Sequence, residues 1–146
     1  MIALGSDHAG LPLKLEIIKL LKERGIAYED FGTHTLESCD YPVYAKKAAQ
    51  AVADGRCRKG LVFCGTGIGV GITANKVHGV RCAICSDCYS AVLSRNHNDC
   101  NMLALGARVV GVDLARMIVS MWLDAGFEGG RHQRRVDLIM QAEGEG

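Results

Sequence analysis

Apolar runs of four to six residues alternate along the chain with segments whose apolar positions recur at helical spacing, and a polar or glycine cluster closes each run. That alternation predicts parallel strands joined by crossover helices, an α/β fold. Ile2-Ala3-Leu4-Gly5 reads as the first strand and Leu11 to Arg24 as a helix, stopped by Gly25 where a left-handed cap is wanted. A short second strand is expected over Ile26 to Phe31. Past a loop from Gly32 to Tyr41, Pro42 suits a first helical turn, and Ala45, Ala48, Ala49 and Val52 then repeat at i, i+3, i+4 and i+7. Leu61-Val62-Phe63-Cys64 is continuously apolar, as in a central strand covered on both faces, and a glycine-rich turn with a short helix to about Lys76 follows. Val80 to Cys85 predicts the fourth strand, Asp87 to Arg95 a helix, and Met102 to Leu105 the fifth strand. Leu114, Met117, Ile118, Met121, Trp122 and Ala125 form one apolar stripe on a long helix that Gly126 should end. The last twenty residues should hold a short mixed helix and a polar end.

Composition narrows the class. A chain of 146 residues suits one domain spanning 1–146. Seventeen basic against sixteen acidic residues, with no block of Lys or Arg, disfavour nucleic acid as the partner. No apolar stretch approaches the roughly 20 residues that a membrane helix needs. Met1-Ile2-Ala3-Leu4 runs into Asp7 without a secretory pattern, so a cytoplasmic protein with no membrane partner is expected. Seven cysteines, an odd number, then read as reduced thiols to be explained one by one.

In an open parallel sheet, ligands bind beyond the carboxyl ends of the strands. The loops expected there are Gly5-Ser6-Asp7-His8-Ala9-Gly10, Cys64-Gly65-Thr66-Gly67-Ile68-Gly69-Val70-Gly71, Ser86-Asp87 and Gly106-Ala107-Arg108. Alternate glycines after an apolar strand let backbone amides approach an anion, whether a phosphate or a developing oxyanion. The dinucleotide fingerprint is not met, because Val70 stands where its third glycine would fall. Cys64 sits at the strand end, where those amides could lower a thiol pKa and make a base or nucleophile. Cys39, Cys57 and Cys100 read as small buried hydrophobes. Cys82, Cys85 and Cys88 have the spacing of part of a cluster-ligand run, but residues three apart in a strand face opposite ways, so the spacing reads as coincidence and no metal is expected there.

Among the histidines, His34, His78 and His132 read as surface residues. Asp7-His8 could contact a ligand or cap the helix from Leu11. His97 lies in the polar run Arg95-Asn96-His97-Asn98-Asp99-Cys100-Asn101. A helix that leaves the carboxyl edge delivers its end to the amino edge, so His97 should lie far from Cys64 within one chain. A site using both would need a second subunit. Arg131 and Arg135, four apart, would share a helix face able to grip a phosphate.

Taken in order, Gly5 to Gly10, Asp40-Tyr41-Pro42, Cys64 to Gly69, Ala74-Asn75-Lys76, Ser94 to Asp99, Gly106 to Gly111 and Glu128 to His132 make the chain similar to ribose-5-phosphate isomerase type B. That family also includes subunits of galactose-6-phosphate isomerase. The resemblance implies a Rossmann-like three-layer sandwich with a five-stranded parallel sheet, and a homodimer or homotetramer with active sites between subunits. The C-terminal segment 127–146 is expected to pack on a partner. The implied chemistry is metal-free interconversion of ribose 5-phosphate and ribulose 5-phosphate through a cis-enediolate. Cys64 would be the base, His97 the ring-opening acid, and Thr66 a proton relay. Amides of Gly65, Gly67, Ile68 and Gly69 would hold the enediolate oxygen. Asp7, His8, Tyr41 and Asn98 would contact the sugar phosphate, and Arg108, Arg131 and Arg135 its phosphate. Some members place a glutamate base in the glycine loop, where this chain has Val70, so it groups with the cysteine users. An isomerase for a six-carbon phosphate (allose 6-phosphate or galactose 6-phosphate) and a nucleotide-phosphate binding module with Asp87 on a ribose are the rival expectations.

Overall fold

The computed structural model describes residues 1–145. Eleven elements follow one another in chain order, with strands and helices alternating up to the last two helices. They are β1 (Ile2–Ser6), α1 (Leu11–Glu23), β2 (Tyr28–Asp30), α2 (Tyr41–Ala53), β3 (Lys59–Cys64), α3 (Ile68–Asn75), β4 (Cys82–Ile84), α4 (Cys88–Asn96), β5 (Met102–Gly106), α5 (Val112–Asp124) and α6 (Arg131–Glu145).

The five strands form one sheet in the order β2-β1-β3-β5-β4, every neighbouring pair parallel. Alternation along the central strands splits the core into two layers. Leu4, Leu61, Phe63 and Leu103 face a bulky layer with Ile17 and Leu21 of α1, Ala91 of α4, and Ile118 and Trp122 of α5. Ala3, Val62 and Ala104 face a thinner one with Ala45, Ala48 and Val52 of α2, and Val70 and Ala74 of α3. The alanine repeat of α2 lets that helix lie close on β1. The result is the expected three-layer α/β sandwich with a five-stranded parallel sheet.

Several boundaries differ from expectation, and each has a local cause. β2 is three residues, because the Ile26 N–H bonds the Leu21 carbonyl and is used to close α1. β4 is three residues, because the Val80 N–H turns back to Val77. Gly25 does take a left-handed conformation, at φ +67°. The stripe expected on α5 is displaced: Ala115, Ile118, Val119 and Trp122 are buried, whereas Leu114, Met117 and Met121 are exposed. α5 ends at Asp124, where Ala125 turns extended at ψ 145°, so Gly126 is not its terminator. The final helix is fifteen residues rather than short, and it lies on its own chain through Glu143 at the Gly79 N–H and Met140 at Arg81.

One buried charge was invisible in the pattern. Lys14 on α1 has no exposed side-chain surface, and its Nζ lies 2.8 Å from Asp30 Oδ1 and donates to the Thr33 carbonyl at 2.6 Å. That ammonium ties α1 to the segment leaving β2.

Candidate active site

From β1 the chain moves outward to β2 and then crosses to β3 on the other side, so strand order reverses between β1 and β3. Loops diverge at such a point and leave a crevice above the carboxyl ends. Backbone hydrogen bonds lace three loops together around it. Asp7 N–H donates to the Phe63 carbonyl at 3.3 Å, Ala107 N–H to the Cys64 carbonyl at 2.9 Å, and Arg108 N–H to the Gly65 carbonyl at 3.0 Å. The crevice is a cleft of about 510 Å³ whose walls include Asp7, His8, Tyr41, Cys64, Thr66 and Arg108. Gly65, Ile68 and Gly69 complete the side formed by the glycine loop.

Cys64 closes the floor. The residue is 5 % exposed, and its sulfur accepts the Gly67 N–H at 3.2 Å. Gly67 caps α3 at φ +81°, and a Cβ there would stand 2.8 Å from the Leu105 carbonyl carbon, so only glycine turns the chain here. Thr66 Oγ1 accepts the Ile68 N–H at 3.2 Å. The Gly69 and Val70 amides lie in the first turn of α3, where no helical acceptor reaches them, and an anion above the thiol would meet them. Gly69 also makes room for Tyr41: a Cβ on Gly69 would lie 2.4 Å from the phenol ring.

Asp7 is buried and accepts the Gly10 N–H on Oδ1 at 2.8 Å, which braces the turn before α1. His8 accepts the Cys39 N–H on Nδ1 at 3.2 Å. Both therefore have structural duties and also face the cleft.

The remaining candidates lie elsewhere. His97 caps the C-terminal end of α4. Asn98 is exposed beside it, its carbonyl accepting the Arg81 Nε–H at 3.1 Å. This run reaches the amino ends of the strands, as Asn101 N–H bonds Arg81 just before β4 and the Asn101 carbonyl bonds Gly60 at the start of β3. Arg131 and Arg135 open α6 and are both exposed. Within one chain, then, Asp7, His8, Tyr41, Cys64, Thr66 and Arg108 meet in one cleft, and His97, Asn98, Arg131 and Arg135 gather outside it.

Two residues of that second group were misread or missed. His132, expected at the surface, is 8 % exposed and stacks on His97 with centroids 4.2 Å apart and planes 9° apart. Glu128 places Oε1 3.5 Å from His97 Nε2 and 3.8 Å from His132 Nε2. The spacing of Glu128 and His132, four apart across a helix start, was the available signal. Among the described residues this is the one His/Cys/Asp/Glu group close enough to share a cation. Imidazole lone pairs lie in the ring planes, however, and two nearly parallel planes do not converge on one ion. Cys82 and Cys85 fall in opposite core layers, as their spacing predicted. Asp87 caps α4 by accepting the Ser90 N–H at 2.7 Å, a structural duty of its own.

A parallel sheet whose switch-point cleft holds a thiol under a glycine loop, with no dinucleotide fingerprint, is the scaffold of a small-ligand α/β enzyme. The chain belongs to the Ribose/Galactose Isomerase family, whose profile matches residues 2–139. It is 54% identical to ribose-5-phosphate isomerase B of Escherichia coli over 97% of this chain and 95% of that protein. A D-erythrulose-4-phosphate isomerase of Pectobacterium atrosepticum is 45% identical over 94% and 91%. The solved ribose-5-phosphate isomerase B of Clostridium thermocellum superposes with a TM-score of 0.97 at 55% identity, covering 99% of this chain and 97% of that one.

Proposed function

We propose that the chain interconverts ribose 5-phosphate and ribulose 5-phosphate as an aldose–ketose isomerase. The observation that carries the reading is the Cys64 sulfur, set at the floor of the cleft against the Gly67 N–H at 3.2 Å and below the free first-turn amides of α3. In the open-chain aldose, the thiolate takes the C2 proton. The C–H electron pair forms the C1–C2 double bond, and the carbonyl pair moves onto O1, giving a cis-enediolate. Thr66 passes a proton from O2 to O1, and Cys64 returns its proton to C1, leaving the ketone at C2. Of the loop amides expected to hold the oxyanion, the Gly67 N–H is given to the Cys64 sulfur and the Ile68 N–H to Thr66 Oγ1, so the first-turn amides of Gly69 and Val70 take that role, each worth about 10²–10³ in rate.

Ribose 5-phosphate arrives as a closed furanose, and His97 supplies the ring-opening acid. Because His97 and Cys64 sit at opposite edges, the reading makes the protein a homodimer or homotetramer, with His97 and Asn98 of one copy completing the cleft of another. Arg108 from the cleft wall, with Arg131 and Arg135 from α6, grips the phosphate, while Asp7, His8 and Tyr41 contact hydroxyls. The segment 127–145, held to its own chain by Met140 and Glu143, then also meets the partner. No step needs a metal or cofactor. Seven free thiols agree with a cytoplasmic setting.

Cys64→Ala tests the reading. Turnover of ribose 5-phosphate should fall by about 10²–10⁴, with pentose-phosphate affinity by calorimetry within a few-fold of the parent. Near-normal turnover would overturn the base assignment, and an inactive parent protein the substrate. Relatives named for five-carbon and four-carbon sugar phosphates are both similar to this chain, so kcat/KM across four-, five- and six-carbon aldose phosphates fixes the preferred length.

A further inference from the structure

The end of α4 carries more apparatus than a lone acid requires. The His97 N–H bonds the Leu93 carbonyl at 2.8 Å, which fixes its backbone, yet its side chain is 36% exposed. What lies against the ring is the face of His132 and, 3.5 Å from Nε2, the carboxylate of Glu128. Glu128 is itself anchored to the same turn, because its N–H donates to the Asn96 carbonyl at 3.0 Å. The link between α5 and α6 is thereby pinned beside His97, and it brings both neighbours with it. Burial and the adjacent imidazole lower the proton affinity of His132 from the ordinary histidine value.

We propose that Glu128 and His132 are positioning residues for His97 in the ring-opening step: the stacked ring fixes the plane of His97, and the carboxylate on Nε2 turns Nδ1 outward as the proton donor. The inference rests on His97 being the ring-opening acid. In that step His97 gives its proton to the furanose ring oxygen, and the C1–O4 bond breaks with its electron pair on O4. The anomeric hydroxyl loses its proton to water and becomes the aldehyde, and His97 is recharged from solvent, so the proton count is unchanged. Misplacing such an acid by about 1 Å costs on the order of a hundredfold.

Ring chemistry separates this role from a general structural one. Ribulose 5-phosphate carries its phosphate on the hydroxyl that would close a five-membered ring, so it exists as an open chain. Exchange of its C1 hydrogen with deuterium oxide, followed by NMR, needs Cys64 and the enediolate but no ring opening. Glu128→Gln and His132→Ala should lower kcat on ribose 5-phosphate by about tenfold to a hundredfold and leave that exchange within about threefold. His132→Phe, which keeps the stack, should recover most of the His132→Ala loss. The exchange assay also certifies that each variant is folded with a working thiol. Equal losses in both assays, or no loss in either, would overturn the proposal. His97→Ala is the reference: if it keeps its turnover of ribose 5-phosphate, the parent assignment fails and takes this one with it. If it loses turnover while Glu128→Gln and His132→Ala do not, the positioning role alone fails.

Discussion

Seven thiols share one chain, and their surroundings give them different chemistry. Burial pushes the thiols of Cys85 and Cys100 up to about 11, and that of Cys82 further still, so all three remain protonated fillers. Cys64 is as buried by area, yet it alone has a main-chain N–H aimed at its sulfur and an open cleft above. A residue-scale prediction concerns His132, whose folded-state affinity for a proton is depressed, first by burial and then by His97. The unfolded chain therefore binds that proton more readily below the ordinary value of 6.5. Stability present above that pH should drain away as pH falls through it. Urea midpoints measured at pH 7.5 and 5.5 should show this drop, and His132→Gln should flatten it. An unchanged slope in the variant would refute the assignment.

At the scale of elements, β1, β3 and β5 were legible because each is apolar on both faces and closes on a small residue, Ser6, Cys64 or Gly106. Their carboxyl-end loops, and with them Asp7, Cys64, Thr66 and Arg108, followed directly from the strand pattern. α5 was misread because it is apolar on two adjacent faces, and periodicity cannot say whether the row with Ile118 and Trp122 or the row with Met117 and Met121 meets the sheet. Lys14 went unnoticed because a charged side chain reads as surface, and its partner Asp30 lies on another element. The pairing of Glu128 and His132 with His97 is likewise tertiary, made by chain segments about 30 positions apart. The Lys14 pair supports an element-scale prediction. Lys14→Ala strands the Asp30 carboxylate and the Thr33 carbonyl, and should cost about 3 kcal/mol in urea unfolding. A loss under about 1 kcal/mol would show that α1 is held to the segment after β2 by packing alone.

For the molecule as a whole, the separation of Cys64 from His97 was what topology predicted before any contact was seen. A crossover helix spans the sheet, and α4 begins at one edge and ends at the other. The matching prediction is complementation. Cys64→Ala and His97→Ala chains, each inactive alone, should regain about a quarter of parental activity when mixed equally and allowed to exchange, since half the dimers are hybrids and each hybrid has one intact site. No recovery, with exchange verified by mass spectrometry, would count against a shared cleft.

If the proposed pairing of base and acid across copies holds, that separation makes catalysis a property of concentration. A lone chain would then own half of two reaction centres and the whole of none. Specific activity should therefore decline on dilution along the same curve as the dimer fraction followed by analytical ultracentrifugation, and added product or inorganic phosphate, by bridging the copies, should move both curves to lower protein together.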